Sequence, residues 1–306
     1  MSRPIGFIES WQPHAKTREL LSQVAHIIAE YQQFGPMTCR QVFYRLVGTF
    51  DYSKTENAYS SLCEVLQRAR RARLISFDAI RDDGTVSKGG GGYSSFHQLL
   101  QAFESNVRYF RLRPDIGQPS RLIVQCEAAG MTEMLARMAS PYGATVRSAG
   151  GFDSVTAKHE LARSIAFESR PTVILHLGDF DPSGEHIFQN LEADVSAFIE
   201  GMGEDTDKAI FRRVAVTPEQ IRGLGLPTAP AKSTDRRSFA GLDGDGTSTV
   251  QCEAISPPDL QDIVLAAIAE WWDEDAAQAL KEREADERQE LQTWWANRPG
   301  FDGGDE

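Results

Sequence analysis

A chain of 306 residues with 41% hydrophobic content is long enough for about two domains and can bury a sizeable core. No apolar run approaches the roughly 18 residues that would span a bilayer, and the amino terminus (MSRPIGFIESWQP) lacks the apolar stretch of a signal peptide, so a cytoplasmic protein with no membrane partner is expected. The net charge of −12 is unevenly spread: residues 1–120 carry +4, the remainder −16 and residues 270–306 alone −8, which argues against tight non-specific coating of DNA and confines any nucleic-acid footprint to the amino-terminal third.

Apolar residues at helical spacing predict a first helix over residues 14–34, stopped by Gly35-Pro36. A second helix opens at Thr38, a residue suited to an N-cap, and buries Phe43, Leu46, Val47 and Phe50. After a turn at 51–54, a third helix over 55–72 places Tyr59, Leu62, Leu66 and Ala69 inward and ends in Arg68, Arg70, Arg71 and Arg73. A strand-like piece follows at 74–80. Three short helices and a β element match a winged helix-turn-helix, with the arginines lining a DNA channel; a small helical domain with a solvated arginine face has the same pattern. KGGGG at 88–92 reads as a loop tip or linker, and a helix over 94–110 leads to a Pro-bounded stretch at 114–119.

From Arg121 the pattern becomes α/β. Strands are predicted at 121–126, 144–147, 172–177 and 211–216, with helices at 131–140, 154–167 and 184–199 between them. That rhythm implies a mainly parallel sheet covered on both faces. The domains expected are therefore 1–113 and 114–306. Residues 217–255 are rich in Pro, Gly and Ser and contain a basic cluster, Lys232, Arg236 and Arg237, suited either to phosphate contact or to a solvated loop. A helix or helix pair over 259–296 closes the pattern. The dispersed cysteines, Cys39, Cys63, Cys126 and Cys252, lack zinc-site spacing and read as reduced core residues.

Ligands of an open parallel sheet gather beyond the carboxyl ends of its strands. Glu127 follows the first predicted strand directly, and Asp179 and Asp181 follow the third, in GDFDPSG. In extended backbone, residues i and i+2 project to one side, so the two aspartates share a focus while Phe180 turns into the fold. Three carboxylates at one point repel unless a cation neutralises them, and all-oxygen ligation favours Mg²⁺ or Mn²⁺. Of the neighbours, Glu253 follows a strand-like stretch and suits either a fourth acidic group or, the favoured reading, a surface glutamate, and His176 is expected in the core.

Glu127 before a helix, and DFDPSG after an apolar strand, resemble the Toprim domain of topoisomerases, certain primases and some nucleases over about residues 121–216. Thr38-Cys39-Arg40-Gln41-Val42-Phe43-Tyr44-Arg45 is similar to the tyrosine helix of the A subunit of topoisomerase VI and of the meiotic double-strand-break protein, and the compact length is most like the stand-alone relatives called Mini-A. Where that family commonly shows Glu-Lys and Tyr-Tyr, this chain has Glu127-Ala128 and Phe43-Tyr44. The resemblance implies a Mg²⁺-dependent transesterase acting on double-stranded DNA in the nucleoid. Tyr44 would form a 5′-phosphotyrosine link, and one chain of a homodimer would present its tyrosine to the other chain's Toprim site.

Tyr44 with Arg40 four residues before it share a helical face, where the guanidinium can hold a phosphate or stabilise the phenolate. The catalytic set expected is Tyr44, Arg40 and Glu127, and the metal set Glu127, Asp179 and Asp181. No ATP-binding motif is present, so a topoisomerase of this kind would borrow an ATPase partner or work without ATP. Two other readings stay open: a Toprim nuclease that uses water, and a DNA-binding scaffold without catalysis.

Overall fold

The computed structural model describes residues 10–81, 92–148, 155–230 and 239–297, apart from 245 and 247. The expected KGGGG linker (all but Gly92) and the basic cluster Lys232, Arg236 and Arg237 lie outside the described residues. In chain order the elements are α1 (Ala15–Glu30), β1 (Met37–Thr38), α2 (Cys39–Phe50), α3 (Glu56–Arg71), β2 (Ile80–Arg81), α4 (Phe96–Arg108), β3 (Arg121–Cys126), α5 (Thr132–Ala139), β4 (Thr145–Ser148), α6 (Val155–Ala166), β5 (Thr172–Leu177), α7 (Pro182–Gly201), β6 (Ala209–Ala215), α8 (Pro218–Gly223), β7 (Ala229–Pro230), β8 (Ser248–Thr249), α9 (Pro257–Ala269) and α10 (Glu274–Ala296). They fall into two compact units, Met1–Thr85 with Ser120–Glu270, and Val86–Pro119 with Trp271–Glu306. The boundary expected at residue 113 falls inside the second unit, whose two stretches are distant in sequence.

In the first unit, β4-β3-β5-β6 form a four-stranded sheet, parallel throughout. All six residues of β5 are buried, as a near-continuous apolar run requires when helices cover both faces. On one face Ile123 and Ile174 pack against Leu161, Ala162 and Ile165 of α6 and Leu191, Val195 and Ile199 of α7. Each Ile, Leu or Val side chain among them, removed from water, contributes about 2 kcal/mol. α5 and α9 pack against each other and contact β3 and β6 respectively. The expected strand at 211–216 begins two residues earlier, at Ala209.

The helices before the sheet follow their local signals. Gly35 adopts φ +100°, in the region open to glycine, and ends the turn after α1. Thr38 caps α2 in a capping box: its hydroxyl accepts from Gln41 N–H while the Gln41 side chain accepts from Thr38 N–H. Of the strand-like piece at 74–80, Ile80 with Arg81 forms a strand and pairs parallel to Met37–Thr38.

In the second unit α4 packs on α10. Gln118 ties the two stretches by donating to Asp273 C=O and accepting from Asp273 N–H, both at 2.8 Å. Glu284 accepts from Leu112 N–H at 2.8 Å. No described helix is long and apolar enough to cross a membrane.

Candidate active site

The capping box at Thr38 sets the first turn of α2, so Arg40 and Tyr44, four residues apart, emerge one above the other. The Tyr44 ring is buried, edge-on to Phe43, and its hydroxyl donates to Gln251 Oε1 at 2.6 Å. Burial pushes the phenol pKa up to about 12; Arg40 opposes the shift, while Asp179, Glu253 and Glu56 add to it. Arg40 lies over the Tyr59 ring, 5.1 Å from its centroid, with Glu253 Oε2 at 3.7 Å. Lys54 Nζ sits 5.7 Å from the Tyr44 ring centroid and donates to the carbonyls of Pro227 and Thr228 at 2.8 and 2.7 Å.

The carboxylates sit where the sheet ends. Glu127 N–H donates to Leu177 C=O at 3.0 Å, continuing the parallel ladder one residue past β3. That register sets the Glu127 side chain beside the turn after β5, where Oε2 accepts from Asp179 N–H at 3.3 Å. Oε1 is buried and has no hydrogen-bond partner. A Cβ on Gly178 would come within 2.5 Å of that oxygen, so this position must lack a side chain for Glu127 to lie where it does. Asp179 Oδ1 accepts from Cys252 N–H at 2.8 Å, and Asp181 Oδ1 caps α7 through Gly184 N–H at 2.6 Å. Phe180, between them, is buried against Phe239, 5.0 Å between centroids.

Burial first, then the neighbouring Asp179, pushes Glu127 up to about 7. Asp179 is raised too, by burial and by Asp181, against the opposing Cys252 N–H, Arg40 and Arg213. Arg213 on β6 donates to the carbonyls of Asp179 at 2.6 Å and Gly184 at 3.3 Å, bracing the turn. Beneath Glu127, His176 is fully buried, 3.8 Å from Oε1, and burial holds it down to about 3, a neutral core histidine as expected.

Arg40, Tyr44, Lys54, Tyr59, Asp179, Asp181 and Gln251 line one cavity of about 820 Å³. Residues 250–254 stitch its parts together: Val250 bridges Phe180, Gln251 holds Tyr44, Cys252 holds Asp179, and Glu253 accepts from Thr38 Oγ1 at 3.2 Å. Ala254 C=O accepts from Arg45. Glu253, expected at the surface, is in fact buried, because this short helical turn is pressed against the start of α2.

Among the described residues, no three His, Cys, Asp or Glu side chains are grouped as an ion-holding set; one oxygen of each of Glu127, Asp179 and Asp181 accepts from a backbone N–H. In kind they suit Mg²⁺ or Mn²⁺: hard oxygen donors, one buried oxygen without a partner, and carboxyl groups pushed toward the neutral form that a cation would return to charge.

The amino-terminal arginines divide. Arg68 and Arg73 are exposed, and Arg73 takes a left-handed φ of +60°. Arg71 is half-buried. Arg70, expected with them on a DNA-facing surface, is buried and donates to Ile80 C=O at 3.4 Å, because it shares the inward face of α3 with Leu66 and Ala69. The four cysteines form no disulfide; Cys126 and Cys252 are buried, and Cys39 and Cys63 half-buried. Sequence reasoning did not find Gln251 or Arg213; the charged pair Arg212-Arg213 inside the otherwise apolar run of β6, an edge strand, was the one signal for Arg213.

No protein-family model matches the chain, and no curated protein matches it in sequence.

Proposed function

We propose that this protein breaks double-stranded DNA by transesterification through Tyr44, with a divalent cation held by Glu127, Asp179 and Asp181, in the manner of the topoisomerase VI A subunit it resembles. The observation that supports the reading is the shared cavity: a phenol and a guanidinium on one wall, two carboxylates on the other. The Tyr44 oxygen would bond to phosphorus as the bond from phosphorus to the 3′ oxygen breaks; the phenol proton leaves to solvent and the 3′ oxygen takes one up. A bound cation would supply charge stabilisation at the phosphate. Arg40, fixed by Tyr59 and Glu253, would orient the phosphate. α1–α3 with β2 would serve as the winged-helix DNA-reading module, Arg68, Arg71 and Arg73 as phosphate contacts, and an ATPase subunit or a second copy as partner, in a nucleoid-associated setting.

One observation favours the water-using Toprim nuclease instead. The Tyr44 hydroxyl is bonded to a neutral amide and its pKa is pushed up, where an activated nucleophile would be pulled down. Supercoiled plasmid with Mg²⁺ or Mn²⁺, resolved with and without detergent and protease, separates the two. The transesterase yields nicked or linear DNA with covalently bound protein, and Tyr44→Phe abolishes the adduct while DNA binding is retained. Cleavage at an undiminished rate by Tyr44→Phe, with no trapped protein, would make the nuclease reading the correct one.

A further inference from the structure

We infer that Gln125 and His176 are positioning residues for Glu127, a polar layer buried behind the acidic turn that sets the direction of its carboxylate. This deepens the proposed function and rests on Glu127 serving as a cation-holding carboxylate.

β3 and β5 are the two inner strands of the sheet, and past their first residues apolar side chains fill them except at one level. There Gln125 pairs in register with His176, and Gln125 and Glu127, two residues apart, project to the same face. Gln125 and His176 are both wholly buried. The two amide atoms of Gln125, the two ring nitrogens of His176 and Glu127 Oε1 are all without a hydrogen-bond partner. Polar atoms left unmade in a core cost stability, whereas apolar residues of the same shape would not. Packing does not account for the polar choice either. Phe188 covers the imidazole with ring centroids 4.9 Å apart, a contact that an apolar side chain would also make.

What remains is the neighbour they share. His176 Nε2 lies 3.8 Å from Glu127 Oε1, about 1 Å beyond a hydrogen bond. Gly178 packs against both groups: a Cβ there would come within 2.5 Å of His176 Cε1 and of Glu127 Oε1. Arg213, the register partner of His176 on β6, is committed to the carbonyls of Asp179 and Gly184. Glu127 itself is lightly held, since Oε2 accepts from Asp179 N–H at 3.3 Å and Oε1 has no partner.

A carboxylate oxygen has two lone pairs. A neutral imidazole can offer Nε2–H to one of those on Oε1 and leave the other for a cation. Its Nδ1 is then an acceptor, and the Gln125 amide on the next strand has donors for it. Groups that hold a metal-binding side chain from behind in this way typically change metal affinity by about 10–100-fold.

The test turns on stability and cation binding moving in different directions. In chelator, full-length His176→Met and Gln125→Met, which replace unpartnered polar atoms by apolar ones, should unfold in urea at the wild-type midpoint or above it. The same variants should bind Mn²⁺ about 10–100-fold more weakly by calorimetry. His176→Gln, whose amide N–H can stand near the place of Nε2, should recover most of that affinity. In a Glu127→Gln background, His176→Met should make no further difference. Wild-type affinity in His176→Met, or a loss of affinity accompanied by an equal loss of stability, would overturn the inference and leave the metal centre standing. Mn²⁺ binding that is absent in wild type, or unchanged in Asp179→Asn with Asp181→Asn, would remove the metal centre and the inference with it.

A measurement on the unaltered chain reads the same contact. With the histidine ring nitrogens isotope-labelled for NMR, the His176 ring, assigned with His176→Gln, should carry its proton on Nε2. That proton should exchange slowly with water and shift when Mg²⁺ is added to saturation. A ring protonated on Nδ1, or an Nε2–H indifferent to bound Mg²⁺, would refute the positioning role.

Discussion

On one wall of the cavity every functional side chain ends on a partner. Tyr44 donates to Gln251, Arg40 lies between Tyr59 and Glu253, and Lys54 donates to two carbonyls. Behind the other wall, formed by Asp179 and Asp181, Glu127 Oε1 is buried without a partner, as are both ring nitrogens of His176 and both side-chain polar atoms of Gln125 beside it. Both walls are polar and largely buried, yet the first is satisfied and the second holds carboxyl groups raised by burial and by each other. Unsatisfied buried polar groups cost stability and are retained where a ligand relieves them. The contrast teaches that the acidic wall is the one that should respond to a cation, while the α2 wall should respond mainly as ordinary packing does.

The largest test of that contrast is pH. Glu127 is raised from 4.5 to about 7, so the folded chain holds its proton where the unfolded chain has lost it, and stability falls as pH rises from 4.5 through 7. A shift of this size corresponds to about 3 kcal/mol when fully developed. His176 has the opposite sign: held neutral down to about 3, it costs stability as pH falls below 6.5. The comparison with Glu127→Gln separates them. In chelator, wild type should lose about 3 kcal/mol relative to Glu127→Gln between pH 4.5 and pH 8, and Mg²⁺ or Mn²⁺ at pH 8 should restore it in wild type alone. Parallel urea-unfolding profiles for the two proteins across that range would show that the acidic wall carries no such burden.

Next in size is the geometry that brings the carboxylates together. A Cβ at Gly184 would run into the carbonyl oxygen of Asp179 and reach 3.2 Å from Glu127 Oε1. Gly184→Ala should therefore cost about 2 kcal/mol and weaken the thermal stabilisation by Mn²⁺, since the turn must shift. Unchanged stability and an unchanged Mn²⁺ response would mean that the turn is not held as tightly as the contacts imply.

The smallest effect belongs to the satisfied wall. Glu253→Gln retains an acceptor for Thr38 but loses the charge facing Arg40, whose side chain is 36% exposed, so the change should cost about 1 kcal/mol. It should leave Mn²⁺ affinity within about twofold, which corresponds to a fraction of a kcal/mol. A larger loss of Mn²⁺ affinity than of stability would move Glu253 from the α2 wall to the acidic one.

What the sequence by itself determined is what short-range physics governs. The capping residue Thr38 and the 3.6-residue period of α2 set Arg40 and Tyr44 on one face. The apolar runs of β3 and β5 require helices on both sides of a parallel sheet, and the strand ends place Glu127, Asp179 and Asp181. The two-residue alternation of extended chain sends Phe180 inward between the aspartates. Tertiary structure alone decided that Tyr44 meets Gln251, 207 residues away, and that Glu253, with an unremarkable local sequence, is buried against α2. It alone decided that Arg70 turns inward to Ile80 while Arg68 and Arg73 stay out, and that residues 1–85 join 120–270 in one unit. The physical reason is that periodicity and capping act over one or two turns of chain, whereas the partner of a buried phenol or carboxylate is chosen by whichever distant segment excludes water from it and still offers a hydrogen bond.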